Sequence, residues 1–305
     1  MAQGDKMLVR TYCSLVFTML LWGGTFIAGR ILAGSVTPVD SAFLRFFIAS
    51  TALIPVVLIT EKKLPFPPVK CWIPLLLLGM TGIFAYNICF FYGLQHITAG
   101  RAALIIASTP LAITIFAALF LKEKLTPTKI CGVLFCLTGA ILVISNGHPA
   151  RLFEGGFGPG EKALLGCVVS WTTYSLVGRH VLKTMSPLTS VCYSSIIGTI
   201  LLAIPSIQHG ILFQLTDISR VGWISLAYLG IGGTAMGFSL YYQAIHKIGA
   251  ARTGIFINLV PVFSVLLSWL ILGEAIKPIV IAGGLLILGG VSLTNYAPKK
   301  QLVNK

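Results

Sequence analysis

The sequence contains little charge, and acidic residues are the scarcest of all. Asp, Glu, Lys and Arg make up only 10% of the 305 residues, and 8 acidic residues face 22 basic ones, which gives a formal net charge of +14. A soluble chain of this length would need a charged shell, whereas here 56% of the residues are hydrophobic and the mean hydropathy is +0.92. This composition is typical of a protein that lies in a lipid bilayer.

The constellations that catalysis and metal binding need are also missing. No Asp or Glu lies in the middle of an apolar run, and no Ser–His or paired-Asp arrangement falls there. Neither the five histidines nor the seven cysteines have ligand or disulfide spacing. We therefore expect no enzyme activity, no cofactor and no metal. A carboxylate proton relay would need an acid inside the membrane, so either coupling uses other groups or the protein is a facilitator.

What the sequence does contain is a series of long apolar runs. Crossing a bilayer takes about twenty residues of helix, and this length predicts ten spans. The first run is too long for a signal peptide, so we expect it to be retained. Lys and Arg lie in short loops with no stripe of interleaved aromatics, which argues against a nucleic-acid partner. The predicted spans are 11–32, 38–60, 72–95, 100–121, 130–146, 162–182, 188–206, 221–244, 250–272 and 278–296.

The chain is also an internal duplication. Residues 99–139 align with 250–290 at a shift of 151 positions, with thirteen identities over 41 columns. Many of the identities are Arg, Pro, Glu and Gly, which a shared apolar composition does not explain. Further upstream, a shift of 149 aligns Trp22 with Trp171 and Arg30 with Arg179. We predict two five-helix repeats, 11–146 and 162–296, joined by a connector at 147–161.

The distribution of Lys and Arg predicts that the second repeat is inverted. With the N-terminus in the cytoplasm, 15 basic residues fall on the inside and 6 on the outside, which also places the C-terminus inside. Five spans per repeat then give the two copies opposite orientations. Inverted repeats suit a carrier that opens a central cavity to each side in turn. The alternative is that duplication merely builds a larger helical bundle.

Short motifs strengthen the transporter interpretation: W-G-G-T-F at Trp22–Phe26, A-G-R-A-A-L-I-I-A-S-T-P-L at Ala99–Leu111, and the endings L-K-E-K-L-T-P at Leu121–Pro127 and I-L-G-E-A-I-K-P at Ile271–Pro278. In their order and spacing they resemble the EamA-type drug/metabolite transporter superfamily over almost the entire chain. The second copy departs from this pattern at Trp171–Tyr174, where both glycines are absent.

The resemblance implies an all-α membrane protein of ten helices with a central cavity between its halves. It implies export of amino acids or similar small metabolites across the plasma membrane, which for a bacterium is the inner membrane. A nucleotide-linked metabolite such as S-adenosylmethionine is the alternative substrate. The expected partners are a small-molecule substrate and the lipid bilayer, and the protein would be a monomer or a weak homodimer.

Polar and aromatic residues at span depth are the candidates for substrate binding, since a cavity for amino acids needs hydrogen-bonding groups amid aromatic walls. Each could instead hold helices together. Arg45 lies about seven residues into the second span, and it either attracts a substrate carboxylate or reaches the outer surface and pairs with Asp40. The candidates are Trp22, Thr25, Arg45, Tyr86, Asn87, Ser108, Trp171, Tyr174, Tyr242 and Asn258.

Two pairs of residues in matching columns complete the predictions. Pro110 and Pro261 fall mid-span, where we expect each to kink its helix and free a carbonyl. Glu123 and Glu274 end equivalent helices. We interpret both glutamates as capping residues or partners of neighbouring lysines, with a role in coupling as the alternative.

Overall fold

The computed structural model describes residues 2–120, 126–145, 147, 148, 158–248, 253 and 256–295. Regular structure within these ranges is helical throughout. Two of the runs, α3 and α9, contain a π-helical stretch in the middle, at Gly79–Ala85 and Tyr228–Met236. The helices are α1 Ala2–Leu32, α2 Pro38–Glu61, α3 Val69–His96, α4 Ala99–Ile106, α5 Thr109–Phe120, α6 Pro127–Ile144, α7 Pro159–Val181, α8 Pro187–Gln208, α9 220–248, α10 Leu259–Leu272 and α11 Pro278–Asn295.

Five of these helices are long and apolar enough to cross a membrane by length and composition: α1, α2, α3, α8 and α9. Four shorter apolar stretches accompany them, at Ala99–Ile113, Ile130–Val143, Phe256–Leu272 and Pro278–Leu293. Helix α7, the predicted sixth span, does not meet the same criterion; its centre, Ser170–Ser175, is polar or amphipathic. The start of the predicted ninth span and most of the connector lie outside the described residues.

Proline and hydroxyl side chains set where several helices begin. Helices α2 and α8 both start with a proline, and the residue before it accepts a hydrogen bond from a first-turn amide: Thr37 from Asp40, and Ser186 from Thr189. Proline suits the first position because the amide it lacks would have no partner inside the helix. The hydroxyl caps one of the remaining free amides. Both repeats therefore encode this helix start in the same way.

Helices α6 and α11 occupy matching places in the two repeats, and they pack directly against each other. The Cys136 thiol donates to the carbonyl of Ile287 at 3.4 Å, and these two residues are 151 positions apart. On one side of that contact Gly139 lies against Gly283, and on the other Gly290 lies against Gly132. The residue numbers rise along one helix as they fall along the other, so the two helices run antiparallel around a local two-fold axis.

Helices α2 and α8 repeat this arrangement with polar contacts. The hydroxyls of Ser50 and Thr199 lie 3.1 Å apart at positions separated by 149 residues. Towards one end of the pair, the Ser206 hydroxyl donates to Asp40. Towards the other, the Thr189 hydroxyl donates to Glu61 at 2.6 Å. This pair of equivalent helices is also antiparallel, and hydrogen bonds join it along its whole length.

The π-helical stretches make matching contacts in the two halves. A Cβ added to Gly79 would lie 2.7 Å from Ile197, and one added to Gly230 would lie 2.7 Å from Ile48. Ile48 and Ile197 are themselves 149 positions apart. In the same way Gly82 packs on Tyr174 and Gly233 packs on Thr25. Glycine is needed at these points because neighbouring helices approach too closely for a side chain.

The structure replaces the two predicted proline kinks with helix boundaries. Pro110 is the second residue of α5, which follows a break at Ala107 and Ser108, and Pro261 is the third residue of α10. At these positions proline removes no hydrogen bond from a continuing helix. The carbonyl of Ile106 accepts a hydrogen bond from the Thr109 hydroxyl at 2.5 Å, so the end of α4 is capped by a side chain.

We predict that Gly290→Ala destabilises the fold by about 1–3 kcal/mol, because the added methyl overpacks the contact between α6 and α11. Its Cβ would lie 2.6 Å from the carbonyl oxygen of Gly132. Gly289→Ala is the matched control, since a Cβ there meets nothing within 4 Å. Thermal unfolding of the purified protein in detergent measures both variants. Equal melting temperatures would contradict the packing described here.

Candidate functional site

Arg45 and Asn87 form a polar contact between α2 and α3, inside the helical core. The Arg45 guanidinium donates from Nη1 to the Asn87 side-chain oxygen at 3.0 Å, and Asn87 is 1% exposed. Two rings border the cation, with centroids 5.2 Å (Phe46) and 5.9 Å (Phe90) from Cζ. Arg45 therefore points towards α3 and does not reach Asp40, whose carboxylate instead accepts from Thr37 and Ser206.

The Arg45 guanidinium is left partly unsatisfied. Its Nε is buried and has no hydrogen-bond partner, and the ion pairs among the described residues involve other side chains. A cation at this depth costs several kcal/mol unless an anion or hydrogen-bond acceptors compensate it. One amide oxygen and two ring faces compensate it only in part, so the site has unused capacity to bind an anion.

Asn87 is held in place by the π-helical stretch that precedes it. Its side-chain nitrogen donates to the carbonyls of Ile83 at 2.8 Å and Gly82 at 3.4 Å. A π-helical turn leaves carbonyls displaced from the regular α-helical pattern, and the Asn87 amide satisfies two of them. Its oxygen therefore keeps a fixed orientation towards Arg45.

Three predicted residues form an aromatic wall next to this contact. The ring of Tyr86 lies 5.4 Å from that of Trp171, and Trp171 stacks on Tyr174 at 4.9 Å. Tyr86 also stacks on Phe90 at 6.1 Å. Helix α7 thus supplies two rings to a site whose polar groups belong to α2 and α3.

A second aromatic group surrounds Trp22. Its ring centroid is 5.5 Å from Phe238 and 5.1 Å from Tyr241, and its indole nitrogen donates to the Gly233 carbonyl at 2.9 Å. Tyr242 contacts both Phe238 and Tyr241. Tyr242 packs against a buried cluster that includes Val191 and Cys192 of α8, and Tyr174 belongs to a cluster bordered by Tyr193 and Ile197 of the same helix. Both aromatic groups therefore border α8.

Three further predicted residues contribute no ring or charge to these groups, although Thr25 borders the Trp22 group through Gly233. The Thr25 hydroxyl donates to the Trp22 carbonyl one turn earlier, and the Ser108 hydroxyl donates to the Ile105 carbonyl at the end of α4. Both bonds satisfy carbonyls of their own helix. Asn258 lies just before α10, where its side chain makes no capping hydrogen bond.

Two ion pairs lie together at the end of the bundle that the charge bias places outside. Arg30 pairs with Glu274 at 3.6 Å, and Arg101 pairs with Glu161 at 2.9 Å. Glu274 also accepts from the Ala99 amide at 3.0 Å. Glu274 therefore caps α4 and pairs with an arginine, not with the lysines we expected, and its counterpart Glu123 lies outside the described residues.

The two ends of the bundle differ in how closely equivalent helices pack. At the predicted cytoplasmic end, a pocket of about 230 Å³ lies between α1 and α9 and is lined by Arg10, Ser14, Gln243 and Lys247, among others. The matching place at the other end lies between α7 and α3. There Gly160 packs against His96, and Gly93 packs against Leu164.

Two aromatic residues of the site, Phe90 and Phe238, were not among the sequence candidates. The duplication could have identified Phe238, because it lies 151 positions after Asn87. Among the described residues no cluster of His, Cys, Asp and Glu could hold a metal ion.

Comparison with known proteins agrees with the repeat and the helical architecture. The model of the EamA-like transporter family matches this chain twice, at residues 9–145 and 158–296. The chain belongs to the EamA-like transporter family. It is therefore a multi-pass membrane transporter, which confirms the resemblance found in the sequence.

Several relatives of this EamA-like transporter align over nearly its whole length. An uncharacterized transporter of Bacillus subtilis, YyaM, is 29% identical over 280 residues, which are 92% of each chain. A "Probable terminal-alkyne amino-acid exporter" of Streptantibioticus cattleyicolor is 27% identical over 288 residues, again 92% of each chain. One crystal structure shares the fold with a TM-score of 0.63 and 24% identity, covering 93% of this chain and 97% of that one.

We predict that Asn87→Ala destabilises the transporter by about 1–3 kcal/mol, because it removes the hydrogen-bond acceptor of a buried charge. In an Arg45→Met background the same substitution should reduce the stability by less, since no buried charge then needs the Asn87 oxygen. A double-mutant cycle from thermal unfolding measures the difference. Thr81→Ala, which removes only an exposed bond to the Leu77 carbonyl, is the control. Equal costs in both backgrounds would mean that Asn87 does not support Arg45.

Proposed function

We propose that this EamA-like transporter is a ten-span carrier of two inverted repeats, which exports amino acids or similar small metabolites by alternating access. The observation that carries the proposal is the contact between equivalent residues of antiparallel helices, such as Cys136 with Ile287 and Ser50 with Thr199. Two oppositely oriented copies of one fold can exchange conformations, which closes one end of the bundle as the other opens.

The difference between the two ends supports alternating access. The ion pair Arg30–Glu274 joins α1 to the segment that follows α10, and Arg101–Glu161 joins α4 to α7, both at the predicted outer end. At the predicted cytoplasmic end, a pocket lies between α1 and α9. We propose that this conformation is closed to the outside, and that a cytoplasmic substrate approaches along α1 and α9 towards Trp22.

The residues around Arg45 and Trp22 form the proposed substrate site. They combine a cation, an amide and aromatic walls, which is the usual make-up of a site for a small polar molecule. An amino acid fits this combination, and one relative carries the name of an amino-acid exporter. The stacked rings of Trp171 and Tyr174 would also accept an adenine base, so S-adenosylmethionine is the second candidate.

The membrane orientation is part of the same proposal. With both termini in the cytoplasm, the excess of Lys and Arg lies inside, and the membrane is the inner membrane of a bacterium. Both repeats in one chain contribute to the site, so a monomer is sufficient for transport and a weak homodimer would not change it.

Uptake into proteoliposomes of a panel of radiolabelled amino acids and S-adenosylmethionine tests the function. We expect saturable uptake of at least one amino acid, because a carrier has a finite number of sites. Measurement with and without a proton gradient separates coupled from facilitated transport. Absence of saturable uptake by folded protein would reject the amino-acid carrier, and uptake of S-adenosylmethionine alone would select the second candidate.

The outer ion pair gives a test of alternating access. In the opposite conformation, an equivalent pocket should form between α3 and α7 at the outer end. Cys89 should then become accessible, because its counterpart Leu240 lines the pocket between α1 and α9. We predict that Glu274→Gln speeds labelling of Cys89 by a membrane-impermeant maleimide applied from outside. The assay uses a variant in which Cys89 is the sole cysteine.

Two further variants make this labelling test specific. The exchange Arg30→Glu with Glu274→Arg should restore slow labelling, since it rebuilds an ion pair of the opposite sense. Lys277→Gln, which removes a nearby exposed charge, should leave the rate unchanged. Equal labelling rates in the parent and in Glu274→Gln would show that this ion pair does not hold the outer end closed.

A further inference from the structure

The duplication allows the site to be divided into two related halves. The structure supports a shift of 149 residues for α1 and α2 and of 151 for α3, because Gly79–Ile197 and Gly230–Ile48 are the same contact seen twice. These shifts relate Arg45 to Ser194, Asn87 to Phe238 and Phe90 to Tyr241. They also relate Trp171 to Trp22. Each repeat thus supplies one version of a common arrangement, and the two versions differ in charge.

The first version, which we name the cationic subsite, consists of Arg45, Asn87, Tyr86 and Trp171. Its guanidinium has one amide partner at 3.0 Å and a buried Nε without a partner. Four acidic residues are engaged elsewhere in ion pairs or hydrogen bonds: Asp40, Glu61, Glu161 and Glu274. This subsite therefore lacks the anion that its charge requires.

The second version, which we name the aromatic subsite, consists of Trp22, Phe238, Tyr241 and Tyr242. Phe238 stands where the cationic subsite has Asn87, and Ser194 stands where it has Arg45. The place of Tyr86 is taken by Gly237, against which the Trp22 indole packs. A ring replaces the amide and a hydroxyl replaces the charge, so this subsite favours apolar groups and the face-on approach of an ammonium.

We infer that the transported substrate is an amphipathic carboxylate bound in one orientation, with its carboxylate on Arg45 and its apolar part in the aromatic subsite. The inference rests on the proposed function and names its substrate class. Tyr174 and Tyr242 connect the two subsites, because both belong to clusters that border the same stretch of α8. A neutral apolar amino acid meets both demands, because the guanidinium is a counter-ion for its carboxylate, while the rings receive its side chain and face its ammonium.

The same divergence selects against other classes of substrate. A dianionic phosphate would leave one charge uncompensated next to a single arginine, and an amine without a carboxylate would leave Arg45 unpaired on binding. Discrimination by a buried polar group is large in such cases, because the wrong ligand leaves that group without a partner.

The experiment compares phenylalanine with phenylalanine amide and phenethylamine as competitors of labelled phenylalanine uptake in proteoliposomes. In the wild-type protein the acid should compete about tenfold or more better than either analogue, the factor expected for one hydrogen bond to a charged group. In Arg45→Gln this preference should disappear. Arg220→Gln makes the same change at an exposed position and should keep it.

A second variant tests the other end of the substrate. Phe238→Ala should weaken competition by phenylalanine relative to alanine, and it should leave the preference for acid over amide intact. Should Arg45→Gln fold poorly, Arg45→Lys replaces it: the lysine keeps the charge, so a reduced but measurable preference for the acid supports the inference. Thermal stabilisation of the wild-type protein by each ligand gives an independent measure of binding.

The outcomes separate this inference from the proposed function. If the wild-type protein transports the amide as well as the acid, or if Arg45→Gln keeps the preference, the inference is wrong and the carrier function stands. If no amino acid is transported at all, the proposed function fails before any variant is examined, and the inference fails with it.

Discussion

Close contact between small residues is the constraint on which the rest of this structure depends. In hydrocarbon, apolar side chains gain nothing by meeting each other, so helices associate where glycines let their backbones approach or where polar groups can bond. Helices α6 and α11 meet through Gly139 with Gly283 and Gly290 with Gly132, and α2 and α8 meet through hydroxyls and carboxylates. Because equivalent elements pair with each other, these contacts create a two-fold relation between the repeats.

The two repeats depart from this two-fold relation in two places. A pocket lies between α1 and α9, whereas at the matching place Gly160 and Gly93 pack directly against His96 and Leu164. Arg45 has a serine as its counterpart, and Asn87 has a phenylalanine. The pocket depends on how the helices pack, so it would change in the proposed alternating-access cycle. The residue differences do not change with conformation, and they bear on the substrate of the proposed site.

Much of the fold could be predicted from sequence because its signals are local. Proline and hydroxyl residues mark the helix starts at Pro38 and Pro187, and hydropathy marks most of the spans. The effect of the two mid-span prolines was harder to predict. Pro110 and Pro261 were expected to kink their helices, yet each lies in the first turn of a new helix. A proline favours both a kink and a helix start, and only the packing of the chain around it selects one.

The sequence by itself determined the membrane class, the duplication and the excess of Lys and Arg on one side, since these follow from composition, spacing and counting along the chain. Only the tertiary structure decided which polar groups meet. Arg45 bonds Asn87 across 42 residues and not nearby Asp40, and Glu274 pairs with Arg30 and not with neighbouring lysines. The physical reason is that a polar side chain in a bundle bonds the group that helix packing brings within about 3 Å, and that packing is set by small residues far away in the sequence.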